Sequence, residues 1–534
     1  MEAGNATLLG LRCRRTDVYV FCNRTWMAKE DAMGWLDAEE LKQVWPAERS
    51  AFPAPIPTQS VSSDEFMPVP QTAKQREFEA RVKTYGADLA RRQGMSRRSF
   101  FKTAAGMAAA FVAMNETYGP FYAASRAEAA SPEMANARAT ALSQQFIMDM
   151  HTHFLRDDTR LTNFVRLREM VGKAGWNPDL REKPQTLDDL KFDNYVKEIF
   201  LDSDTKVACI SGAPSDVPED WFLTNEMKAE ARAKINGEAG TKRMLAHAIF
   251  TPGQPGWLEQ VDQVIAELKP DSFKGYTVGD NTHKELSKYP WRMDDEAKVY
   301  PFYEKCQQAG IVNICVHKGL FAPSAAQKFP HLLDYADVRD VGKAAQDWPQ
   351  LNFIIYHSGY RFIGPGVKPD DAWAQFEQTG RVEWVSDLAD IPERYGVTNV
   401  YGDLGQIFAQ STVAHPRLCA ALMGILIRGL GADHVCWGTD AIWTGSPQWQ
   451  IEALRRLEIP DALQKQYGFQ PLGAADGPVK SAILGGNNAR LYKYPMTRKS
   501  ELAQDRFAQL RETYEQSGIG RSNRTYGYIY PRRA

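Results

Sequence analysis

Five polar residues stand at the ends of short apolar runs, and their types could bind a metal. They are His151, His153, His317, His357 and Asp440. Imidazole nitrogen together with carboxylate oxygen suits Zn²⁺, and also Mn²⁺ or Fe²⁺. A bound divalent cation acts as a Lewis acid and lowers the pKa of water on it towards ~7. The residue types therefore indicate metal-assisted chemistry, most simply with Zn²⁺.

The spacing of the first two histidines supports this interpretation. His151 and His153 are separated by one residue. In a β-strand such residues project from the same face, with Cα atoms ~7 Å apart. Two imidazoles in that arrangement can bind one cation.

The elements that carry these residues repeat along the chain. Each apolar run predicts a β-strand and is followed by a stretch whose apolar residues recur at helical spacing. The predicted strands span residues 146–151, 206–211, 243–250, 272–276, 311–317, 352–357, 398–403 and 434–440. The predicted helices include 257–269, 294–308, 338–348, 371–394 and 417–430.

Eight strand–helix units predict a (β/α)₈ TIM barrel over residues 145–495, followed by a C-terminal helix and tail over 496–534. An open doubly wound sheet is the alternative, but no G-x-G-x-x-G follows the first strand. In a closed parallel barrel the carboxyl ends of all strands surround one opening, here called the barrel mouth. The five polar residues are expected to meet there.

The N-terminal part shows no such repeat. Residues 1–90 are predicted to be irregular or disordered, since 51–70 holds five prolines among Ser and Gln.

Residues 91–130 resemble a twin-arginine export signal. Residues 96–102 read Ser-Arg-Arg-Ser-Phe-Phe-Lys, the weakly apolar 103–114 follow, and Ala-Glu-Ala at 127–129 offers a cleavage site. The position of the pair requires a long leading region or a start at Met67 or Met95. The signal implies the twin-arginine export machinery as a partner and a periplasmic or extracellular location, or a cytoplasmic one if the signal is degenerate.

A resemblance to a known family follows from the order of these motifs. H-x-H, then His, His and Asp on later strands, resembles the amidohydrolase superfamily. The run Ile-Leu-Gly-Gly-Asn-Asn-Ala-Arg-Leu-Tyr at 483–492 resembles the closing segment of its "amidohydrolase 2" branch. That branch includes aminocarboxymuconate semialdehyde decarboxylase and γ-resorcylate decarboxylase. The resemblance covers about residues 145–495.

The resemblance implies a role for each of the five residues. His151, His153 and His317 would be metal ligands. Asp440 would bind the metal and manage the proton of the water that reacts, and His357 would polarise the substrate or shuttle protons.

Three further residues are predicted, with alternatives, to contact substrate. Lys274 ends strand 4, where two-metal relatives carry a carboxylated lysine that bridges the ions; a substrate contact or a solvated lysine are the alternatives. Asp403 ends strand 7 and would contact substrate or cap the next helix. Tyr360 follows strand 6 and would line an aromatic pocket or pack in the core.

Together these features predict a metal-dependent hydrolase in which activated water attacks an amide, ester or lactone-like bond of a small molecule. Non-oxidative decarboxylation, or hydration, of an aromatic or unsaturated carboxylic acid is the alternative on the same site. A binding protein on a barrel that has lost catalysis is a third. The net charge of −2 gives no case for nucleic acid as a partner. The sequence leaves a homo-oligomer open.

Overall fold

The fold is built on eight short parallel strands. The computed structural model describes residues 54–61, 63, 65, 71–159, 161, 190–363, 367 and 370–516. The strands are β1 Met148–Thr152, β2 Val207–Ile210, β3 Met244–Ile249, β4 Ser272–Tyr276, β5 Asn313–His317, β6 Asn352–Tyr356, β7 Val400–Asp403 and β8 Val435–Cys436.

The strands form one sheet in chain order, β1 to β8, with every neighbouring pair parallel. The sheet closes where β1 meets the chain around β8. Met150 N–H donates to Trp437 O at 3.1 Å, and Asp440 N–H donates to His151 O at 2.9 Å. Nearly every strand residue is buried, as expected for strands covered on both faces. The predicted (β/α)₈ barrel is confirmed.

The helices lie before, between and after the strands. The helices that precede the barrel are Ala73–Arg92, Arg97–Phe100, Ala104–Tyr118, Arg126–Ala130 and Pro132–Leu142. Those between β1 and β6 are Phe192–Val196, Asn225–Ala239, Trp257–Gln263, Tyr300–Ala309, Pro323–Lys328, Leu333–Ala336 and Val341–Asp347. Those between β6 and β8 are Asp371–Thr379, Val385–Ala389, Ile391–Tyr395, Gly405–Ala414 and Pro416–Leu430. Those after β8 are Gln448–Arg456, Asp461–Tyr467, Pro478–Ser481, Asn487–Leu491, Lys499–Leu502 and Arg506–Gln516.

One predicted helix, 371–394, is wrong as a single element. The chain forms three short helices there, because the first ends at Gly380 in the left-handed region (φ 70°). Trp384, which comes directly before the second helix, also has a positive φ, of 68°, so the helix cannot continue through it.

The prediction of an irregular segment over residues 1–90 is wrong for Ala73–Arg92. These residues form a helix that begins with a capping box, in which Thr72 and Gln75 satisfy each other's backbone N–H groups. Phe78 and Val82 on this helix are fully buried. The described residues between 54 and 65 form no helix or strand, and residues 1–53 lie outside the described part.

The apolar segment of the predicted export signal forms the helix Ala104–Tyr118. Most of its residues are buried. Just beyond it, Tyr122 packs its ring 4.9 Å from that of Phe111 and donates a hydrogen bond of 2.8 Å to Thr412 O in the barrel domain. No helix in the described part of the chain has the length and apolarity needed to cross a membrane.

The predicted C-terminal helix and tail lie only partly within the described residues. Arg506–Gln516 is a helix, and residues 517–534 lie outside the described part. Asp505, just before the helix, forms a buried ion pair of 2.6 Å with Arg243 at the start of β3. This contact fastens the C-terminal segment to the amino end of the barrel.

Candidate metal centre

Two histidines and one aspartate converge at the barrel mouth. Nε2 of His151 lies 3.1 Å from Oδ1 of Asp440, and Nε2 of His153 lies 3.4 Å from the same oxygen. One ligand atom from each of the three residues lies within 4.8 Å of the others, and all three side chains are buried. We call this group the triad. It brings together three of the four residues predicted to bind the metal.

The backbone at two of the predicted catalytic residues is strained. Asp440 has a φ of 57° and His357 a φ of 58°, both in the left-handed region that side chains with a Cβ rarely adopt. Such conformations persist where the surrounding structure imposes them, and they concentrate at functional sites. His357 directly follows β6, and Asp440 lies four residues past the end of β8.

Gln406 forms hydrogen bonds with both Asp440 and His357, and this residue was not predicted from the sequence. Its side-chain amide donates to Oδ2 of Asp440 at 2.6 Å. Its backbone N–H donates to Nδ1 of His357 at 3.0 Å. Because Nδ1 accepts this bond, the neutral imidazole of His357 carries its proton on Nε2.

Asp403 contacts His151. Its Oδ2 lies 2.8 Å from His151 Nδ1, which leaves Nε2 of that ring facing Asp440. A carboxylate on the outer nitrogen of a metal-binding histidine fixes the orientation and tautomer of the ring. The same oxygen accepts a longer bond of 3.4 Å from His357 N–H. Asp403 is thus placed to orient His151 as a metal ligand. Neither of its two predicted roles, substrate contact and capping of the next helix, included this.

Lys274 is fully buried in β4. Its Nζ lies 3.5 Å from the ring centroid of Tyr356 and donates to Ser211 Oγ at 3.3 Å. The lysine therefore lies over an aromatic face as a cation. Its predicted role as a bridging ligand stays a prediction.

His317, the fourth predicted ligand, lies beside the triad and outside its group of three. Its ring is stacked on that of Tyr276 at 4.7 Å and lies 4.9 Å from that of His357. Its Nε2 lies 3.2 Å from Oε1 of Glu65. Its role as a ligand stays a prediction.

Glu65 is the second residue that was not predicted, and it comes from the N-terminal extension. Besides His317, it contacts Lys284, whose Nζ lies 2.6 Å from Oε2. Four residues earlier, Val61 O accepts a bond of 2.7 Å from the side chain of Gln410. Val61 and Glu65 of the extension therefore lie at the barrel mouth, and a segment without periodicity offered no signal of this.

Tyr360 packs in the main hydrophobic core, with its ring 6.2 Å from that of Phe362. Burial raises the pKa of its hydroxyl. The structure thus places it in the core, the second of its two predicted roles; its substrate contact stays a prediction.

The electrostatics of the site favour neutral imidazoles. Burial, followed by the charge of Lys274, holds the pKa of His151 and of His153 well below its usual value. Burial, then the charge of His317, does the same for His357. Histidine binds metals in its neutral form, so these side chains are ready to bind a cation without first losing protons.

Comparison with known proteins decides the family. A family model described as amidohydrolase matches residues 148–494, which include every strand of the barrel and the triad. The chain belongs to the amidohydrolase family. No curated protein matches the sequence.

Several solved structures are similar to this amidohydrolase. One is an uncharacterised TIM-barrel protein from Bordetella bronchiseptica, with 15% identity, 65% of this chain and 98% of that chain covered, and a TM-score of 0.41. A second is a 2,6-dihydroxybenzoate decarboxylase from Rhizobium, with 15% identity, 65% and 99% covered, and a TM-score of 0.37. A third is an amidohydrolase from Burkholderia multivorans with bound HEPES, with 14% identity, 66% and 100% covered, and a TM-score of 0.37.

Residues 483–492, which resemble the family's closing segment, connect the first and last strands of the barrel. The Asn488 side chain donates to Met148 O at 2.6 Å and to Trp437 O at 2.8 Å, which joins β1 to the chain after β8. Asn487 donates to Val435 O at 2.7 Å. These bonds fix the two strands that carry the triad.

The triad fits a divalent metal. It offers two imidazole nitrogens and one carboxylate oxygen, a donor set that suits Zn²⁺ and leaves positions for water or substrate. The amide on Asp440 and the carboxylate on His151 are outer contacts of the kind that metal ligands use.

Proposed function

We propose that this amidohydrolase is a metal-dependent hydrolase that uses water to cleave an amide, ester or lactone-like bond of a small molecule. The observation that carries the proposal is the convergence of His151 and His153 on one oxygen of Asp440, at 3.1 and 3.4 Å. The three groups come from opposite ends of a chain segment of nearly 300 residues. Their approach in a buried position is difficult to explain by packing alone.

His151, His153 and Asp440 would hold the metal, with His317 as a further ligand. We propose Zn²⁺, with Mn²⁺ and Fe²⁺ as alternatives that the same donors accept. When bound, the metal would supply Lewis acidity and make water more acidic.

Asp440 would act as the base. Gln406 occupies its Oδ2, while Oδ1 faces the two histidines. A water molecule in front of Oδ1 can pass its proton to this carboxylate as it attacks the substrate. The same group can return the proton to the leaving atom.

His357 would stabilise the negative charge that develops on the substrate oxygen. With Nδ1 accepting from Gln406, the Nε2–H group is the donor available to a ligand. A preorganised donor in a buried site is worth on the order of 10²–10³-fold in rate.

The test measures hydrolysis of a panel of simple esters, amides and lactones by protein stripped with a chelator and reloaded with Zn²⁺. Activity is expected only after reloading, and Asp440→Asn is expected to lower kcat at least ~100-fold. Asp461→Asn, an exposed aspartate, is the matched control. Hydrolysis that survives both metal removal and Asp440→Asn would refute the proposal.

Decarboxylation of an aromatic or unsaturated carboxylic acid is the second candidate. The observation that favours it is the presence of two buried lysines, Lys228 and Lys274, close to the triad. Cations beside a metal site suit a substrate that carries a carboxylate. Metal-dependent release of CO₂ from a panel of such acids, without hydrolysis of the ester panel, would favour this reaction.

We further propose that the protein is exported by the twin-arginine route. The Arg97–Arg98 pair, the weakly apolar residues 103–114 behind it and the Ala-Glu-Ala at 127–129 in the sequence support this. N-terminal sequencing of the protein recovered from the periplasm or the medium tests this proposal, and cleavage after Ala129 is expected. Recovery of the uncleaved chain from the cytoplasm alone would contradict it. A homo-oligomer stays a prediction.

A further inference from the structure

A second cavity lies at the amino end of the barrel, on the face opposite the triad. Its volume is about 760 Å³. Lys206 and Arg243 line it and directly precede β2 and β3, which places it below the strands. Its other walls come from the helices Pro132–Leu142, Gln448–Arg456 and Arg506–Gln516. We call it the basal cavity.

The lining of the basal cavity is basic. Eight lysine or arginine side chains line it, against three carboxylates. Two carboxylates outside the lining pair with it: Glu128 lies 2.6 Å from Arg456, and Asp505 lies 2.6 Å from Arg243. Together these groups leave an excess of three positive charges. An anion from solution would balance that excess.

Arg138 has donors that lack an acceptor. Its Nε lies 4.0 Å from Oε1 of Glu128, beyond hydrogen-bond distance, and that carboxylate accepts bonds of 2.6 and 3.0 Å from Arg456 instead. Among the residues that the structure describes, the buried Nε and Nη2 of Arg138 have no hydrogen-bond partner. A buried donor without an acceptor is destabilising, so Arg138 offers two donors to a ligand.

Lys206 is a second cation that its carboxylate neighbour does not neutralise. Burial lowers the pKa of Lys206 to about 8, against the attraction of Asp204. Asp204 already accepts bonds of 2.7 Å from Arg455 and 2.8 Å from Arg511. The charge of Arg455 lowers the pKa of Lys206 and of Arg138 alike, after the larger effect of burial. Both cations are therefore within electrostatic reach of the same arginine.

Apolar side chains complete the lining. Phe200 and Phe507 stack with their ring centroids 5.3 Å apart, and Met107 and Phe146 also line the cavity. The volume of about 760 Å³ is that of a small-molecule site. The cavity thus combines a cationic part with an apolar part.

We propose that the basal cavity binds a small molecule that carries a phosphate group on an apolar body, with Arg138 and Lys206 at the phosphate. A phosphate group supplies three acceptor oxygens and up to two negative charges. The guanidinium fork matches its oxygens, and an ammonium group adds a point charge. This site lies at the other end of the barrel from the triad and does not rest on the proposed hydrolysis.

The experiment titrates phenyl phosphate into the Zn²⁺-loaded, uncleaved full chain by calorimetry, with phenol as a neutral probe. Arg138→Leu is expected to weaken phenyl phosphate binding about tenfold or more and to leave phenol unchanged. Arg394→Leu, which removes an exposed arginine outside the cavity, is the matched control. A phosphate bound at the metal would not depend on Arg138. Phenyl phosphate affinity that is unchanged in Arg138→Leu would therefore overturn the inference.

A second variant keeps the test decisive if Arg138→Leu fails to fold. Lys499 lines the cavity and is exposed, so Lys499→Glu reverses a charge of the lining without disturbing the core. It is expected to weaken phenyl phosphate about threefold or more. Lys465→Glu, at an exposed position outside the cavity, should have no effect. Equal affinities in the two variants would also overturn the inference.

A phospholipid headgroup offers the same phosphate chemistry as a soluble phosphate ester. Sedimentation of the full chain with phosphatidylcholine vesicles that contain phosphatidic acid distinguishes the two sources. Phenyl phosphate binding without vesicle binding identifies a soluble ester. Vesicle binding that requires Arg138 identifies a lipid headgroup. Failure of the chain to bind either probe would overturn the inference.

Discussion

The side-chain amide of Gln406 donates a hydrogen bond of 2.6 Å to Oδ2 of Asp440, and its backbone N–H donates to His357 at 3.0 Å. One buried residue at the start of the helix Gly405–Ala414 thus fixes both groups that we propose to be catalytic. The two groups end different strands, so Gln406 sets the distance between them. Its removal should affect both metal binding and catalysis.

Gln406→Leu is expected to lower Zn²⁺ affinity and kcat by ~10–100-fold each, the usual effect of losing an outer contact of a metal ligand. Zn²⁺ affinity is measured by competition with a chromogenic chelator. Gln308→Leu, on an exposed helix surface, is the control and should change neither. Wild-type affinity and kcat in Gln406→Leu would show that the hydrogen bonds do not position the site.

Lys228 predicts a pH dependence of stability. Its pKa is about 7 in the folded protein, lowered by burial and Lys274, against 10.5 for an ordinary lysine. Between those values the unfolded chain holds more protons than the folded one. The free energy of unfolding should therefore rise with pH across this window, by up to about 1.4 kcal/mol per pH unit from this group.

The measurement is the difference in denaturation midpoint between Lys228→Met and the wild type, followed with pH and without ligand. The variant should be the more stable at neutral pH, and its advantage should shrink as the pH approaches 10.5, the ordinary lysine value. Other lysines cancel in the difference. A difference that stays constant would mean that Lys228 keeps its ordinary pKa.

Glu65 predicts an effect of the N-terminal extension on ligand binding in the uncleaved chain. Its carboxylate lies 3.2 Å from His317 and 2.6 Å from Lys284, so it places a negative charge in the barrel mouth. Glu65→Gln removes that charge and should raise the affinity for benzoate several-fold. Glu116→Gln, which removes a carboxylate paired with Arg126 away from the mouth, should have no effect. Unchanged binding in Glu65→Gln would place the carboxylate outside the ligand's reach, and weaker binding would contradict the proposed repulsion.

Asn488 predicts an effect on the stability of the fold. Its two hydrogen bonds join β1 to the chain after β8, and removing them leaves buried carbonyl groups unpaired. Asn488→Ala is expected to cost ~2–4 kcal/mol, at ~1–2 kcal/mol per bond, and to lower the melting temperature. Asn136→Ala, on an exposed surface, should leave it unchanged. An unaltered melting temperature in Asn488→Ala would contradict the role assigned to the motif.

The barrel and its triad could be predicted because both leave local signals. The strands are short, apolar and buried on both faces, so they stand out from the helical spacing around them. Polar residues such as His151 and Asp440 interrupt that apolar pattern where the strands end. The break within 371–394 was missed because glycine at 380 lies within an otherwise helical pattern.

The residues that complete the site could not be predicted, since each acts through a contact between distant segments. Gln406 contacts Asp440 only because β7 and β8 are neighbours. A glutamine in a helix gives no sequence signal of such a contact. Glu65 reaches His317 across 252 positions from a proline-rich segment. Lys228 reads as an ordinary helix residue until the fold buries it.

The central claim is that the triad binds a divalent metal. The most direct test is a crystal structure of the Zn²⁺-loaded protein with anomalous diffraction measured at the zinc edge. We predict one peak at the barrel mouth, ~2.0–2.2 Å from nitrogens of His151 and His153 and from an oxygen of Asp440. A zinc-loaded protein whose anomalous peaks all lie away from these three side chains would contradict the account.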